Sequence, residues 1–300
     1  LHAVTNFTAK GHKRGPLALL LRQLRLRWED FSLAPQIGSS IVFPGVRMEF
    51  SNDIELLKSE ISRAFPTEKD NFEGLLDRLL DYDDLEQADY DVSARQVLEE
   101  TLSDPLLIEM LLCPVMWYGN SREHDMDFAQ FCIMFRSIFL EGFARPFSGV
   151  RLILRLLVRK FRSLGGELKL RSGVSRIVVE DERAVGVVLD NGEELQGRKI
   201  LSSAGMVETL RLCDDLSEPA ESSVGQLSFT ETISILDCQP RQLDHNKTIV
   251  FYNDSEKFHW CKPADRLVDT RTGVICSPNN FMYPRSDGEL ADGVIRITSL

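Results

Sequence analysis

The sequence predicts an α/β fold, α+β in its overall arrangement, and three observations lead to this class. Helical periodicity runs through most of residues 53–112 and returns at 128–143 and 150–164. Short runs rich in Val, Ile and Leu, separated by Ser, Gly or charged residues, follow one another over 165–205. Further alternating runs occupy 228–298. We therefore expect a helical layer and a mixed or antiparallel sheet, together with an α/β portion of the chain.

The first part of the chain is predicted to hold a helix, a hairpin and then more helices. The apolar run Gly15–Trp28 has a proline just inside its start, which is typical of a helix N-terminus. Ile41–Phe50 alternates around Pro44-Gly45, which predicts a hairpin. Asp53 is a suitable N-cap for the helical stretch that follows, and Pro66 interrupts that stretch.

The segment Gly165–Gly205 is the most informative. Asn191-Gly192 predicts a tight hairpin turn, because both residues tolerate a positive φ. Small residues end the segment, and they leave room for a ligand at the carboxyl end of a strand, where open α/β sheets bind ligands. Four strands are predicted here: Glu167–Leu170, Val174–Glu180, Arg183–Asp190 and one that ends at Leu201–Gly205.

Composition and charge restrict the class of protein. The net charge is −11, and residues 51–110 alone hold 17 acidic against 5 basic residues, so binding to nucleic acid is not expected. The six cysteines are scattered without a Cys-x-x-Cys pair, which is typical of a reduced cytoplasmic protein. The acidic run Asp81–Glu86 lacks the spacing of a calcium loop, so no metal site is expected.

Two apolar helical stretches leave alternatives open. Val150–Leu164 is basic and amphipathic, so it either packs against a sheet or lies on a membrane surface, a peripheral attachment. Four phenylalanines at helical spacing line either a substrate cavity or the ordinary core: Phe128, Phe131, Phe135 and Phe139.

Both ends of the sequence suggest the middle of a longer chain. It begins at Leu1 without a methionine and stops within the alternating run Gly293–Leu300. No Gly-x-Gly-x-x-Gly dinucleotide fingerprint is present. We therefore expect a phosphate-binding loop upstream, and weak FAD binding by these 300 residues alone.

Several runs together resemble a known family. They are Phe147–Gly149, Leu164–Glu167, Ser172–Ile177, Ala184–Leu189, Asn191–Glu194 and Ile200–Ala204. This pattern is similar to FAD-dependent oxidoreductases of the phytoene desaturase group, which includes carotenoid isomerase-like and retinol saturase-like proteins, within the wider amine-oxidase-type flavoproteins. The resemblance is sharpest over residues 140–205.

The resemblance implies an FAD site. Val174 matches a valine whose backbone amide and carbonyl meet the adenine, and Ser203, Ala204 and Gly205 match a turn beside the adenosine. Phe147, Ser148 and Gly149 match a loop, usually Pro-x-Gly-Gly, that approaches the flavin ring, with Ser148 in place of the first glycine. Phe7, within Asn6–Thr8, matches a segment near the isoalloxazine.

The resemblance also implies domains and a reaction. Residues 1–10 and 147–205 would form parts of a Rossmann-like FAD-binding domain, and 11–146 and 206–300 a substrate-binding domain. The reaction would be hydride transfer between flavin and an apolar, polyene-type small molecule, with no catalytic residue identified. Two alternatives remain: an amine or amino-acid oxidase, or a non-catalytic domain that binds a hydrophobic ligand.

Overall fold

The computed structural model describes residues 16–82, 92–213, 225 and 227–300. The chain divides into two units, of which the larger comprises Leu1–Leu157 with Gln226–Leu300 and the smaller Val158–Gly225. The smaller unit is therefore a contiguous insertion within the larger one. The division into a cofactor domain and a substrate domain stays a prediction.

The described helices are mostly in the first half of the chain. Their bounds are α1 (Pro16–Leu24), α2 (Ile54–Ala64), α3 (Lys69–Asp81), α4 (Ala94–Thr101), α5 (Pro105–Gly119), α6 (Phe128–Phe135), α7 (Val150–Ser163) and α8 (Met206–Arg211). Local capping explains several starts: the side chains of Asp53, Ser93, Asp104 and Asp127 each accept a backbone N–H of the first turn. The helix start predicted at Asp53 is confirmed.

The described strands form three sheets. Their bounds are β1 (Leu33–Pro35), β2 (Ser39–Phe43), β3 (Val46–Phe50), β4 (Ala144–Pro146), β5 (Val174–Glu180), β6 (Arg183–Leu189), β7 (Glu194–Gln196), β8 (Thr230–Leu236), β9 (Ile249–Asn253), β10 (Thr272–Cys276) and β11 (Gly293–Ser299). The largest sheet has the order β3-β2-β9-β10-β11-β8, and β1 pairs with β4. In the large sheet β2 and β9 are parallel and the other pairs antiparallel.

This arrangement confirms the predicted fold class, because a mixed sheet and a helical layer share one core. Phe50 of β3 meets Phe139 at a ring-centroid distance of 5.0 Å, and Tyr118 of α5 meets Phe251 of β9 at 6.0 Å. The four phenylalanines of the 128–139 stretch are all buried, and their rings contact one another in sequence. They therefore belong to the core of the described residues.

A charged pair lies between the packed helices α4 and α5. Arg95 donates from Nη1 to Glu109 Oε1 at 2.7 Å and from Nη2 to Oε2 at 3.0 Å. Glu109 is only 8% exposed, and its Oε2 also accepts the backbone N–H of Phe258 at 3.3 Å. The carboxylate thus joins the helical layer to the loop that follows β9.

Two of the four strands predicted in the smaller unit are wrong. Residues Glu167–Leu170 are irregular, and Leu170 is 75% exposed, because no strand among the described residues supplies a hydrogen-bonding ladder beside them. The last strand is β7, which ends at Gln196, and Leu201–Gly205 form an irregular exposed loop. The two central strands and the Asn191-Gly192 turn are confirmed, with Gly192 at φ +83°.

Candidate functional site

In the smaller unit, the backbone of Val174 faces the outer edge of a three-stranded sheet. Val174 lies opposite Leu189, and the N–H of Asp190 donates to the carbonyl of Gly173 at 2.9 Å. This bond makes Val174 and Leu189 a non-hydrogen-bonded pair, so the N–H and carbonyl of Val174 point away from β6. They point to the outer edge of β5, which is the edge strand of the order β5-β6-β7.

The loop Ser203–Gly205 leads to the same edge of β5. All three residues are exposed, and Gly205 has φ +102°, a conformation that favours glycine. Helix α8 follows directly and spans about 9 Å for its six residues. Just past this helix, the carbonyl of Leu212 accepts the N–H of Ile177, on β5, at 2.7 Å. The short helix α8 therefore connects the loop to the segment that bonds β5, the strand that carries Val174.

In the larger unit, Arg145 holds the loop Phe147–Gly149. Its Nη1 donates to the carbonyls of Pro146 and Phe147 at 3.3 and 3.4 Å. Gly149 has φ +66°, and a Cβ built at this position would lie 2.9 Å from Arg145 Nη2. The positive φ favours glycine here, and a larger residue would also displace the arginine side chain that packs against it.

Tyr283 fixes the other side of this loop. Its hydroxyl accepts from Arg145 Nη1 at 2.9 Å and donates to the carbonyl of Pro278 at 2.9 Å. Its ring meets that of Phe147 edge-on at a centroid distance of 5.1 Å. Burial raises the pKa of Tyr283, and the charge of Arg145 opposes this rise. Sequence reasoning missed this pair, because the two residues lie 138 positions apart and neither belongs to a local motif.

A polar cluster lies on the helix-facing side of the large sheet. Arg296 of β11 stands opposite Cys276 of β10, and its Nη2 lies 2.6 Å from Glu231 Oε1 on β8. The hydroxyl oxygen of Tyr118 is buried and has no hydrogen-bond partner among the described residues. Burial raises the pKa of Tyr118 well above its usual value; Cys276 adds to the rise and Arg296 opposes it.

Beyond this cluster the sheet presents apolar side chains that are exposed. Ile233 stands opposite Arg296 and Ile235 opposite Val294, so all four share one face. Ile233 is 56% exposed and Ile235 is 65% exposed. Among the described residues, this side therefore has a half over β9 and β10 on which helices pack and an apolar half over β8 and β11 that no described helix covers, the uncovered apolar half.

The buried thiol of this cluster should be unreactive. Burial raises the pKa of Cys276 to about 12, against the opposing charges of Arg145 and Arg296. At about pH 8 only some one in ten thousand Cys276 thiols would be ionised. We expect iodoacetamide to modify the half-buried Cys238 and Cys261 first and to reach Cys276 only in denaturant, as measured by peptide mass spectrometry. Labelling of native Cys276 as fast as Cys261 would contradict the buried position.

The predicted cofactor residues occupy both units. The loop Phe147–Gly149 belongs to the larger unit, whereas Val174 and Ser203–Gly205 belong to the smaller one. Phe7 lies outside the described residues. Their contact with a cofactor stays a prediction.

Residues 16–82, 92–213 and 227–300 contain neither a membrane-spanning helix nor a metal-binding cluster. No helix there combines the length and apolar character needed to cross a bilayer. No group of three His, Cys, Asp or Glu side chains there is arranged to hold a metal ion. The cytoplasmic location and the peripheral membrane contact remain predictions.

Comparison with known proteins shows a shared fold. No family model matches the sequence, and no curated protein does. An oxidoreductase from Methanosarcina mazei has a similar structure, with a TM-score of 0.66 and 15% identity. A structural-genomics protein from Pyrococcus furiosus gives a TM-score of 0.64 at 15% identity. Both matches cover 100% of this chain but 66% of the other, so the chain spans about two thirds of their length and shares their fold.

Proposed function

We propose that this chain is part of an FAD-dependent oxidoreductase that acts on an apolar small molecule. The observation on which the proposal rests is the Val174 backbone, which presents an N–H and a carbonyl together at the outer edge of β5. One donor beside one acceptor is what the hydrogen-bonding edge of adenine requires. The exposed small-residue loop Ser203–Gly205 allows the rest of an adenosine to approach the backbone closely.

The loop Phe147–Gly149 is suited to a flavin ring. Among the described residues, Arg145 bonds only to uncharged oxygens, so its positive charge is not neutralised locally. A positive charge close to a flavin ring tunes the electronics of the ring. A bound flavin would supply hydride transfer, while Arg145 and Tyr283 would hold the loop in position.

The substrate assignment rests on the uncovered apolar half of the large sheet. Ile233, Ile235 and Val294 offer a wall for a hydrocarbon. The arginine on this wall, Arg296, is already paired with Glu231, so it provides no net charge for the carboxylate of an amino acid. This pairing favours an apolar substrate over the amine or amino-acid oxidase alternative. A polyene substrate, with desaturation, saturation or isomerisation as the reaction, is the finer form of the proposal.

The flavin spectrum tests the proposal. The chain should be expressed alone and together with the coding sequence that flanks it in its gene. We expect the longer protein to be yellow, with absorbance near about 450 nm from bound flavin. A folded longer protein that stays colourless when FAD is added would refute the proposal.

A proline substitution tests the adenine contact. In Val174→Pro the N–H is lost, but that N–H points away from β6, so the ladder should survive at this first position of an edge strand. We expect FAD affinity to fall about tenfold, the value of one hydrogen bond to a ligand, in a fluorescence titration. Val174→Thr keeps the N–H and should bind FAD normally. Equal affinities of the two variants would exclude this backbone contact.

A further inference from the structure

A cavity of about 460 Å³ lies in the larger unit, away from the residues to which the cofactor and the substrate are assigned. Its walls are the loop that follows β8 and the loop that joins β10 to β11, and Ile37, between β1 and β2, completes the lining. Sites for small molecules have volumes of about 300–1,000 Å³. The cavity is therefore large enough for a ligand of its own.

Hydrogen bonds between the two loops hold the cavity open. The side chain of Gln239 accepts from Asn279 Nδ2 at 2.8 Å and donates to the carbonyl of Leu290 at 2.9 Å. Arg241 Nη2 donates to Glu289 Oε1 at 2.8 Å. Because these bonds join the loop after β8 to the loop before β11, the walls are positioned before any ligand arrives.

The lining has an excess of positive charge. Arg241 is paired with Glu289, whereas the guanidinium of Arg285 has no hydrogen bond or ion pair with any described residue. Tyr283 also lines the cavity, and its hydroxyl accepts from Arg145 at 2.9 Å, so a second guanidinium without a carboxylate partner lies beside this wall. In a chain with a net charge of −11, this local excess favours an anion.

The apolar part of the lining favours an organic anion over an inorganic one. Ile37 is 54% exposed, and the rings of Phe281 and Tyr283 lie together at a centroid distance of 6.1 Å. A bare phosphate would leave Ile37 in water, whereas an anion with an apolar body would cover it.

We propose that this cavity binds a small organic anion, a carboxylate or a phosphate on an apolar body, and that Arg285 binds the anionic group. The planar guanidinium can donate to two oxygens of such a group at once. The site goes beyond the proposed function and does not depend on it, because binding requires no flavin.

Three fluorinated probes of similar size test the proposal. Para-fluorobenzoate carries a carboxylate, para-fluorophenyl phosphate carries a phosphate, and para-fluorobenzyl alcohol is neutral. Each is titrated with the purified protein and followed by fluorine NMR of the probe. We expect the anions to bind about tenfold more tightly than the alcohol, which is the value of a charge-assisted hydrogen bond. The tighter of the two anions identifies the class of anionic group.

Three variants locate the effect. Arg285→Gln should weaken the binding of the anions about tenfold and leave that of the alcohol unchanged. Arg266→Gln removes the same charge from an exposed residue that does not line the cavity, so all three affinities should stay as they are. Ile37→Ala should weaken all three probes about threefold, because each loses the same apolar contact. Circular dichroism confirms that the variants are folded.

Several results would overturn the proposal. They are no saturable binding of any probe, equal binding of the alcohol and the anions, and a preference for anions that survives in Arg285→Gln. Equal weakening by Arg266→Gln would assign the binding to overall charge, and unchanged affinities in Ile37→Ala would place the probes outside this cavity. Failure of the proposed function is a separate result, since it is read from flavin absorbance.

Discussion

Replacement of Glu109 by alanine is expected to lower the free energy of unfolding by about 3 kcal/mol. The carboxylate is buried and accepts two bonds from Arg95 and one from the N–H of Phe258. Its removal leaves a guanidinium that is largely withdrawn from water without its strongest partner. Urea denaturation followed by circular dichroism measures the loss.

An exposed glutamate and a double variant provide the controls for this change. Glu73 is an exposed acid on α3, and Glu73→Ala should change the free energy of unfolding by no more than about 0.5 kcal/mol. The double variant Arg95→Met, Glu109→Leu replaces both charges with apolar groups and should recover most of the stability. A double variant as unstable as Glu109→Ala would show that the ion pair itself, and not the unpaired charge, determines the effect.

Replacement of Arg145 by methionine is expected to lower the free energy of unfolding by about 2 kcal/mol. The loop Phe147–Gly149 loses the hydrogen bonds that hold it in position. The methionine fills a similar volume but donates nothing to Pro146, Phe147 or Tyr283. In the flavin-loaded protein, the loss of this positive charge should also make the reduction potential more negative. Denaturation measures the first effect, and redox titration with a reference dye measures the second.

An exposed arginine provides the matched control for this change. Arg151 lies on the exposed side of α7. Arg151→Met should therefore leave the free energy of unfolding and the reduction potential within error of the values for the parent protein. Arg145→Lys keeps the charge but not the fork of donors, so we expect it to lose stability and retain the potential. A normal potential in Arg145→Met would place the flavin ring away from this loop.

Features set by neighbouring residues could be predicted from the sequence. The cap at Asp53 and the turn at Asn191-Gly192 depend on a few adjacent residues, and both are observed. The strand predicted at Glu167–Leu170 is wrong, because a strand depends on residues that are distant in the sequence. An apolar run becomes a strand only where another strand lies beside it, and the run itself does not reveal its neighbour.

The same distinction applies to the candidate site. The loop Phe147–Gly149 was found through its resemblance to a family, but the residues that hold it were not. Arg145 and Tyr283 are ordinary residues in the sequence, and only the folded chain brings the guanidinium to the phenol. Tyr118 likewise belongs to an apolar helix, where the sequence predicts only that an aromatic residue packs in the core. Only the structure shows that its hydroxyl is buried without a partner among the described residues.

The parallel pairing of β2 with β9 has a consequence for biosynthesis. Val250 lies opposite Ser40, so roughly 200 residues must leave the ribosome before this pairing can form. At about 5–20 residues per second, the hairpin of β2 and β3 would wait about 10–40 seconds with the free edge of β2 unpaired. The smaller unit has all three of its strands within Val158–Gly225 and can complete them during that delay. Chaperone demand during translation should therefore fall on the β2–β3 hairpin and the helices that follow it, which are synthesised before β9 and complete their sheet only after it.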